Sequence, residues 1–166
     1  MLFVAIAISL SPLPVFADDR EDCESIELED EEIIPACTRA IASGRYKGEQ
    51  LAKLFWFRGL SYQIKQQRLA LADFTAAIRA YPDYAAAYGA RADIYRISGQ
   101  LDLAIKDYSE AIRLAPNDGS YYFSRAYAYQ AKGDRARAIE DFRKTLQLLP
   151  DAKEAARELQ RLGATP

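Results

Sequence analysis

Few side chains in this chain of 166 residues are suited to catalysis or metal binding, because it has two cysteines and no histidine. Imidazole is a common general base and metal ligand, and two thiolates are too few to hold a structural metal ion. Carboxylate pairs such as Asp93 and Asp107 stand among many other charged residues, and no glycine-rich phosphate-binding motif is present. The sequence therefore predicts no catalytic, metal-binding or cofactor-binding residues, and an enzyme is the least favoured alternative.

The cysteines follow a segment with the features of a secretory signal peptide, residues 1–17. An apolar run, Leu2–Leu10, precedes Val15-Phe16-Ala17, which places small residues three and one before a cleavage site. We expect removal of this segment to leave no stable membrane anchor, and we expect an exported protein, periplasmic or secreted. An even number of cysteines in an oxidising compartment predicts a disulfide between Cys23 and Cys37. The alternative to the disulfide is two free thiols, and the alternative to the signal peptide is a buried N-terminal helix or strand.

Charge is unevenly distributed along the chain, although the net charge is only −2. The acidic N-terminal segment, residues 18–32, holds ten acidic side chains and one basic one, whereas residues 33–166 hold 14 acidic and 21 basic side chains. This balance excludes a strongly basic nucleic-acid-binding protein. The acidic segment is either a solvated tail or a segment that folds back onto the basic remainder.

A series of small residues, aromatic residues and a proline recurs three times along the chain. The second and third copies are offset by 34 residues throughout. The first copy is one residue shorter, and its missing residue falls near Gln66 and Gln67. Each copy contains two stretches with apolar residues at helical spacing. Because neither helix of such a unit can bury its apolar face alone, we expect the units to stack. The copies are Gly59, Tyr62, Ala70, Phe74, Ala77 and Pro82; Ala92, Tyr95, Ala104, Tyr108, Ala111 and Pro116; and Ala126, Tyr129, Ala138, Phe142, Thr145 and Pro150.

This series resembles the tetratricopeptide repeat, which implies an all-α, right-handed solenoid of helix–turn–helix units. Cys37 stands where the second helix of a repeat has its aromatic residue, so a degenerate half-repeat precedes the first repeat. The chain also resembles small exported tetratricopeptide-repeat proteins of Gram-negative bacteria, which implies a periplasmic or secreted location. The predicted units are a half-repeat helix and linker (33–51), three repeats (52–84, 85–118 and 119–152), and a capping helix with a tail (153–166).

An arginine and an aspartate also recur at fixed places in the repeats. The arginine lies in the first helix of each unit and the aspartate in the second. We predict that each arginine pairs with an aspartate, within or between repeats, because a bidentate pair would fix the helix register. Separate solvated charges are the alternative. The residues are Arg58, Arg91 and Arg125, with Asp73, Asp107 and Asp141.

The resemblance implies that the first helix of each repeat lines a concave, partner-binding groove. Family members that grip a carboxylate use Lys and Asn in this groove, whereas this chain has no Asn there and carries Asp93. We expect Gly89 to leave a notch for a partner side chain and Arg96 to make a charged contact, while the aromatic residues either form the groove floor or belong to the core. The groove residues are Lys53, Trp56, Leu60, Gln63, Gly89, Asp93, Arg96, Phe123, Tyr127 and Gln130.

The sequence as a whole favours a non-catalytic protein–protein interaction module, a scaffold or adaptor of the cell envelope. Its expected partner is a peptide or helix that binds in the concave groove. A self-assembling structural homo-oligomer is the alternative. We expect no nucleic-acid partner, no cofactor and no metal.

Overall fold

The computed structural model describes residues 19–25, 27 and 29–165. The predicted signal peptide, residues 1–17, lies outside the described residues. Within the described ranges the chain forms nine α-helices and no β-strand. The helices are α1 (Asp19–Cys23), α2 (Asp30–Ala42), α3 (Gly48–Tyr62), α4 (Gln67–Ala80), α5 (Ala85–Ile97), α6 (Leu101–Leu114), α7 (Gly119–Ala131), α8 (Arg135–Leu148) and α9 (Lys153–Arg161).

Helices α3 to α8 form three stacked helix–turn–helix units. Helices α3, α5 and α7 contact one another and form the first-helix layer, while α4, α6 and α8 form the second-helix layer. Each unit brings a bulky buried residue of its second helix against a small residue of its first. A Cβ atom on Gly59 would lie only 2.6 Å from Cε1 of Phe74, so this contact requires glycine. The predicted all-α helical-repeat solenoid is confirmed.

The turns within the units differ in a way that reflects the shorter first repeat. Gly99 and Gly133 have positive φ angles of 75° and 82°, and each closes a helix in the left-handed conformation. Helix α3 instead ends at Tyr62, two residues earlier than the corresponding point of α5. Its turn closes without glycine, and the Gln66 N–H donates to the Tyr62 carbonyl oxygen at 2.7 Å. The first repeat therefore accommodates the one-residue deletion by ending its first helix earlier.

A single arginine in each first helix connects three helices. The Arg91 Nε and Nη2 atoms donate to the two carboxylate oxygens of Asp107, at 2.6 and 3.0 Å. Its Nη1 atom donates to the Thr75 hydroxyl, in the second helix of the preceding unit, at 3.3 Å. The ion pairs thus lie within repeats, and the third hydrogen bond joins consecutive repeats. The same arrangement occurs in Thr38–Arg58–Asp73 and Ser109–Arg125–Asp141.

These arginine networks are largely shielded from solvent. The side chains of Arg91 and Asp107 are 17% and 7% exposed. The Arg91 guanidinium also lies near the rings of Tyr88 and Tyr95, with its Cζ atom 5.8 and 6.0 Å from their centroids. Charge pairing, hydrogen bonds and aromatic contacts therefore compensate the partial desolvation of the guanidinium.

The N-terminal end is closed by α1 and α2. A disulfide joins Cys23 of α1 to Cys37 of α2, and both residues are fully buried. The Thr38 hydroxyl of α2 accepts from Arg58 as the hydroxyls of the complete repeats do, so α2 has the role of a second helix. Part of the acidic segment is therefore helical and folded, because residues 19–23 form α1 and residues 30–32 begin α2. Helix α3 begins at Gly48, one turn before the predicted repeat boundary at residue 52.

The C-terminal end is closed by α9. Ala155 and Leu159 are fully buried and share a hydrophobic cluster with Phe142 of α8. Glu158 is only 2% exposed, and its carboxylate accepts hydrogen bonds from Gln130 and Arg161 at 3.0 and 2.8 Å. The outer face of α9 remains charged, which suits the end of a stacked array.

We expect the Cys23→Ala/Cys37→Ala variant to lose about 3 kcal/mol of unfolding free energy, because the unfolded chain is no longer closed into a loop of this size. Urea denaturation of the full chain measures this loss. Wild-type protein in excess reductant is the control and should reproduce the variant. Two free thiols in the oxidised protein would contradict the assignment.

We expect Asp107→Leu to lose about 3 kcal/mol of unfolding free energy, because it leaves the Arg91 guanidinium partly buried without its carboxylate. The double variant Arg91→Met/Asp107→Leu should be more stable than Asp107→Leu, since no uncompensated charge remains. Denaturant unfolding of both variants provides the measurement. The control is Glu110→Gln, which removes an exposed pair with Arg113 and should cause no measurable change. Strictly additive losses in the double variant would contradict this account.

Candidate functional site

A concave pocket lies where the three first helices meet, and we call it the groove pocket. Its volume is about 280 Å³. Small or short side chains of α5 and α7 leave this space open between larger side chains of α3 and α7. The lining residues are Trp56, Leu60, Gln63, Ala86, Gly89, Ala90, Asp93, Tyr108, Ser120, Tyr121 and Ser124.

Five of the ten predicted groove residues line this pocket. The other five lie outside it, in contacts with neighbouring side chains or with α9. The sequence also places Ser120 in the groove, and the structure confirms it in the pocket lining, whereas sequence reasoning missed Tyr121 and Ser124 of α7 and Tyr108, which reaches the pocket from the second-helix layer. The predicted residues in the pocket are Trp56, Leu60, Gln63, Gly89 and Asp93, and those outside it are Lys53, Arg96, Phe123, Tyr127 and Gln130.

Trp56 belongs both to the pocket wall and to the hydrophobic core. Its ring makes edge-to-face contacts with Phe57 and Tyr84, with centroids 5.0 and 6.0 Å apart. The indole Nε1 is buried and has no hydrogen-bond acceptor among the described residues. Burial against these rings raises the pKa of Tyr84 to about 12. Trp56 therefore lines the groove pocket with one part of its ring and packs against the core with another.

Gly89 does not leave an open notch, which corrects the expectation from the sequence. A Cβ atom there would lie 2.5 Å from Cε1 of Tyr121, so the tyrosine ring of the next repeat occupies the space. The position of Tyr121 is taken by smaller buried residues in the other two repeats, Leu54 and Ala87. A glycine at position 89 in one repeat and a large residue at position 121 in the next are the sequence signal that predicts this contact between Gly89 and Tyr121.

The polar centre of the pocket is Asp93, which a buried phenol holds in place. The Tyr108 hydroxyl donates to Asp93 Oδ1 at 2.6 Å, and Tyr108 is only 1% exposed. Burial, with the Asp93 charge as a smaller cause, raises the pKa of Tyr108 well above its usual value. Arg96 lies beside the pocket, where its Nε atom donates to the Tyr108 hydroxyl at 3.3 Å and its Nη2 atom lies 3.6 Å from Asp93 Oδ1.

The third repeat supplies less of the groove than the sequence suggested, because α8 and α9 cover part of it. The rings of Phe123 and Tyr127 pack edge-to-face on each other and on Phe142, with centroids 5.0 to 5.9 Å apart. Gln130 donates to Glu158 of α9, and this hydrogen bond lowers the pKa of that carboxyl. The two rings thus pack in the C-terminal core, and Gln130 is engaged by the capping helix.

Lys53 of the first repeat lies outside the groove pocket. Its ammonium pairs with Glu49, one turn earlier in α3, at 2.8 Å. Hydrogen bonding and attraction by Glu49 raise the pKa of Lys53. The pair shows that the extra N-terminal turn of α3, which begins before residue 52, supplies the partner of this lysine.

Three larger concavities lie elsewhere on the described surface. One, of about 490 Å³, lies between α7 and α8 and includes the already paired Arg125 and Asp141. The others, of about 710 and 450 Å³, lie at the turn between α3 and α4 and at the turn between α7 and α8. The described residues contain no group of three or more potential metal ligands, and none of their helices is long and apolar enough to cross a membrane. The groove pocket is therefore the site that three successive repeats build together.

Comparison with solved structures identifies the same arrangement of helices in other TPR proteins. The chain matches the first TPR of Spaghetti (RPAP3) bound to the HSP90 peptide SRMEEVD, with 24% identity and a TM-score of 0.68 over 72% of this chain and 96% of that one. It matches YrrB, a TPR protein with an unusual peptide-binding site, with 20% identity and a TM-score of 0.68 over 79% and 66%. The Arabidopsis OM64 TPR domain matches with 25% identity and a TM-score of 0.65 over 69% and 95%.

Family models place the sequence pattern in the second and third repeats. A TPR repeat model matches residues 92–133, and a tetratricopeptide repeat model matches residues 119–152. A search of curated proteins finds no match. Residues 92–152 therefore carry the tetratricopeptide-repeat sequence pattern, and the described helices have the fold of tetratricopeptide-repeat proteins.

Proposed function

We propose that this protein is a non-catalytic interaction module that binds a peptide or a helix of a partner protein in its concave groove. The observation that carries the proposal is the groove pocket, which three first helices build from aromatic, small and polar side chains. Such a surface offers apolar anchoring with a few polar groups to orient a ligand. The peptide-bound RPAP3 domain supports this reading, because it has the same fold.

We also propose that the protein works outside the cytoplasm, as a scaffold or adaptor of the cell envelope. The signal-peptide pattern of residues 1–17 supports export. The disulfide between Cys23 and Cys37 supports an oxidising compartment, where such bonds persist. In this setting the groove would hold a segment of another envelope protein, and no reaction of the chain's own is required.

Random-peptide phage display against the full chain tests the peptide-binding proposal. We expect wild-type protein to enrich peptides that Ala86→Trp no longer binds, because Ala86 lines the groove pocket and a large side chain there fills it. The matched control is Ala72→Trp, an exposed position of α4 in the second-helix layer, which should bind as wild type does. Failure to enrich any peptide, or equal binding by Ala86→Trp, would contradict the proposal.

Self-association is the second candidate function, and an exposed aliphatic edge favours it. Ile64, in the turn after α3, and Ile97, the last residue of α5, are 88% and 59% exposed. Leu69 and Leu103, in the first turns of α4 and α6, are 45% and 43% exposed. A contiguous exposed apolar surface is typical of an interface.

Light scattering at the highest soluble concentration separates this candidate from a monomeric adaptor. If the edge is a homo-oligomer interface, wild-type protein should form a defined oligomer that Ile64→Asp/Ile97→Asp converts to monomer. Both positions are exposed, so the helical circular-dichroism signal should be unchanged. A wild-type monomer under these conditions would eliminate self-association.

A further inference from the structure

We infer that the partner side chain that enters the groove pocket is cationic, an arginine or lysine that binds the carboxylate of Asp93. The inference rests on the proposed function and specifies the chemistry of the ligand. A volume of about 280 Å³ lies just below the range of about 300–1,000 Å³ typical of sites for whole small molecules. The pocket therefore suits one long side chain of a peptide.

The charge of the lining is the first argument. Asp93 is the only ionised group among the described residues that line the pocket, and none of these residues is a lysine or arginine. The remaining polar groups are the buried indole N–H of Trp56, which only donates, and neutral amide, hydroxyl and phenol groups, which can accept hydrogen bonds from a guanidinium or ammonium. A cation is therefore the complementary ligand.

The second argument is that Asp93 is oriented but not neutralised. Both of its contacts to described residues, from the Tyr108 hydroxyl and from Arg96, involve Oδ1. The Arg96 contact, at 3.6 Å, is longer than a hydrogen bond and joins side chains that are each about one-third exposed. Exposed pairs of this kind are weak. Oδ2 makes no hydrogen bond to the described part of the chain and remains available to a ligand.

The third argument is the apolar wall around the carboxylate. Trp56 and Tyr121 provide aromatic rings, and Leu60, Ala86 and Ala90 provide aliphatic surface. Arginine and lysine place their methylene stems along such surfaces and keep the charged group at a polar end. Aromatic faces also attract cations. An acidic side chain would gain neither contact and would face the Asp93 charge.

This specificity is opposite to what a carboxylate-gripping groove requires. The peptide in the RPAP3 structure, SRMEEVD, has three acidic side chains in its last four residues. In the present chain no described lysine or arginine lines the groove pocket, and its one carboxylate is that of Asp93. We therefore expect this chain to select a different peptide although it shares the fold.

The test uses the random heptapeptides from phage display and one synthetic pair. We expect arginine or lysine to be enriched at one position with wild-type protein and not with Asp93→Asn. A selected peptide is then synthesised with arginine and with citrulline, its neutral isostere, at that position. Trp56, the single tryptophan of the chain, lines the pocket, so its fluorescence reports binding.

Citrulline should weaken binding to wild-type protein about tenfold, the usual scale for a hydrogen bond to a charged group. Asp93→Asn should weaken binding of the arginine peptide by a similar factor and abolish its preference over citrulline. The matched control is Asp151→Asn, an exposed carboxylate in the turn before α9, which should leave both affinities unchanged.

The outcomes separate this inference from the proposed function. Selected peptides without arginine or lysine, or equal affinity for arginine and citrulline, would overturn the cationic-ligand inference while groove binding stands. A chain that enriches no peptide would overturn both. If Asp93→Asn does not fold, judged by circular dichroism, the citrulline comparison on wild-type protein alone decides.

Discussion

The hydrogen-bonded arginine of each first helix is the interaction on which the rest of the structure depends. One guanidinium binds the aspartate of its own repeat and the hydroxyl of the preceding repeat, so it fixes helix pairing and repeat stacking together. Two residues further along the helix is the groove position, as Asp93 follows Arg91. Because two helical residues are separated by about 200°, the arginine turns toward the second-helix layer and the groove residue turns away from it. The helix orientation that the arginine fixes in the core therefore also fixes the direction in which the groove residue points.

The repeats have similar backbones but contribute unequally to the groove. The first repeat supplies the aromatic wall with Trp56, the second supplies Asp93, and the third supplies two serines and the Tyr121 ring. Phe123 and Tyr127, which occupy groove positions by sequence, lie outside the pocket, are partly buried and pack against the C-terminal core cluster. The site is thus concentrated in one pocket, and its specificity depends on the few positions where the repeats differ.

The sequence predicts those features that depend on contacts within one repeat. The spacing of Gly59, Ala92 and Ala126 against a bulky residue of the second helix is visible because both members recur together, and the same is true of the arginine and aspartate. Contacts between repeats are less visible, although Thr75 and Ser109 each lie 16 residues before the arginine from which they accept a hydrogen bond. Their hydroxyl groups were missed because serine and threonine are mostly surface residues, so their type does not mark them as partners.

The groove itself shows the same limit. The filling of the Gly89 position by Tyr121 depends on how closely two successive first helices approach, which no single-repeat pattern encodes. Burial of Phe123 and Tyr127 depends on the position of α9, beyond the last complete repeat. The helix formed by residues 19–23 was also unforeseen, because a run of acidic residues gives no apolar period and its place is fixed by a covalent bond to α2.

The disulfide also makes the two ends of the array unequal. Helix α1 has five residues, and Ala36 of α2 stands where the complete repeats have their aspartate. This end unit therefore has the more exposed Arg39–Asp19 pair between its helices in place of the largely buried pair of the others. A helix this short has little stability of its own. In a linear array each unit is stabilised mainly by its neighbours. Loss of the sulfur bridge would therefore let the chain fray from its amino end while the remaining units stay stacked, which gives the solenoid a preferred direction of disassembly.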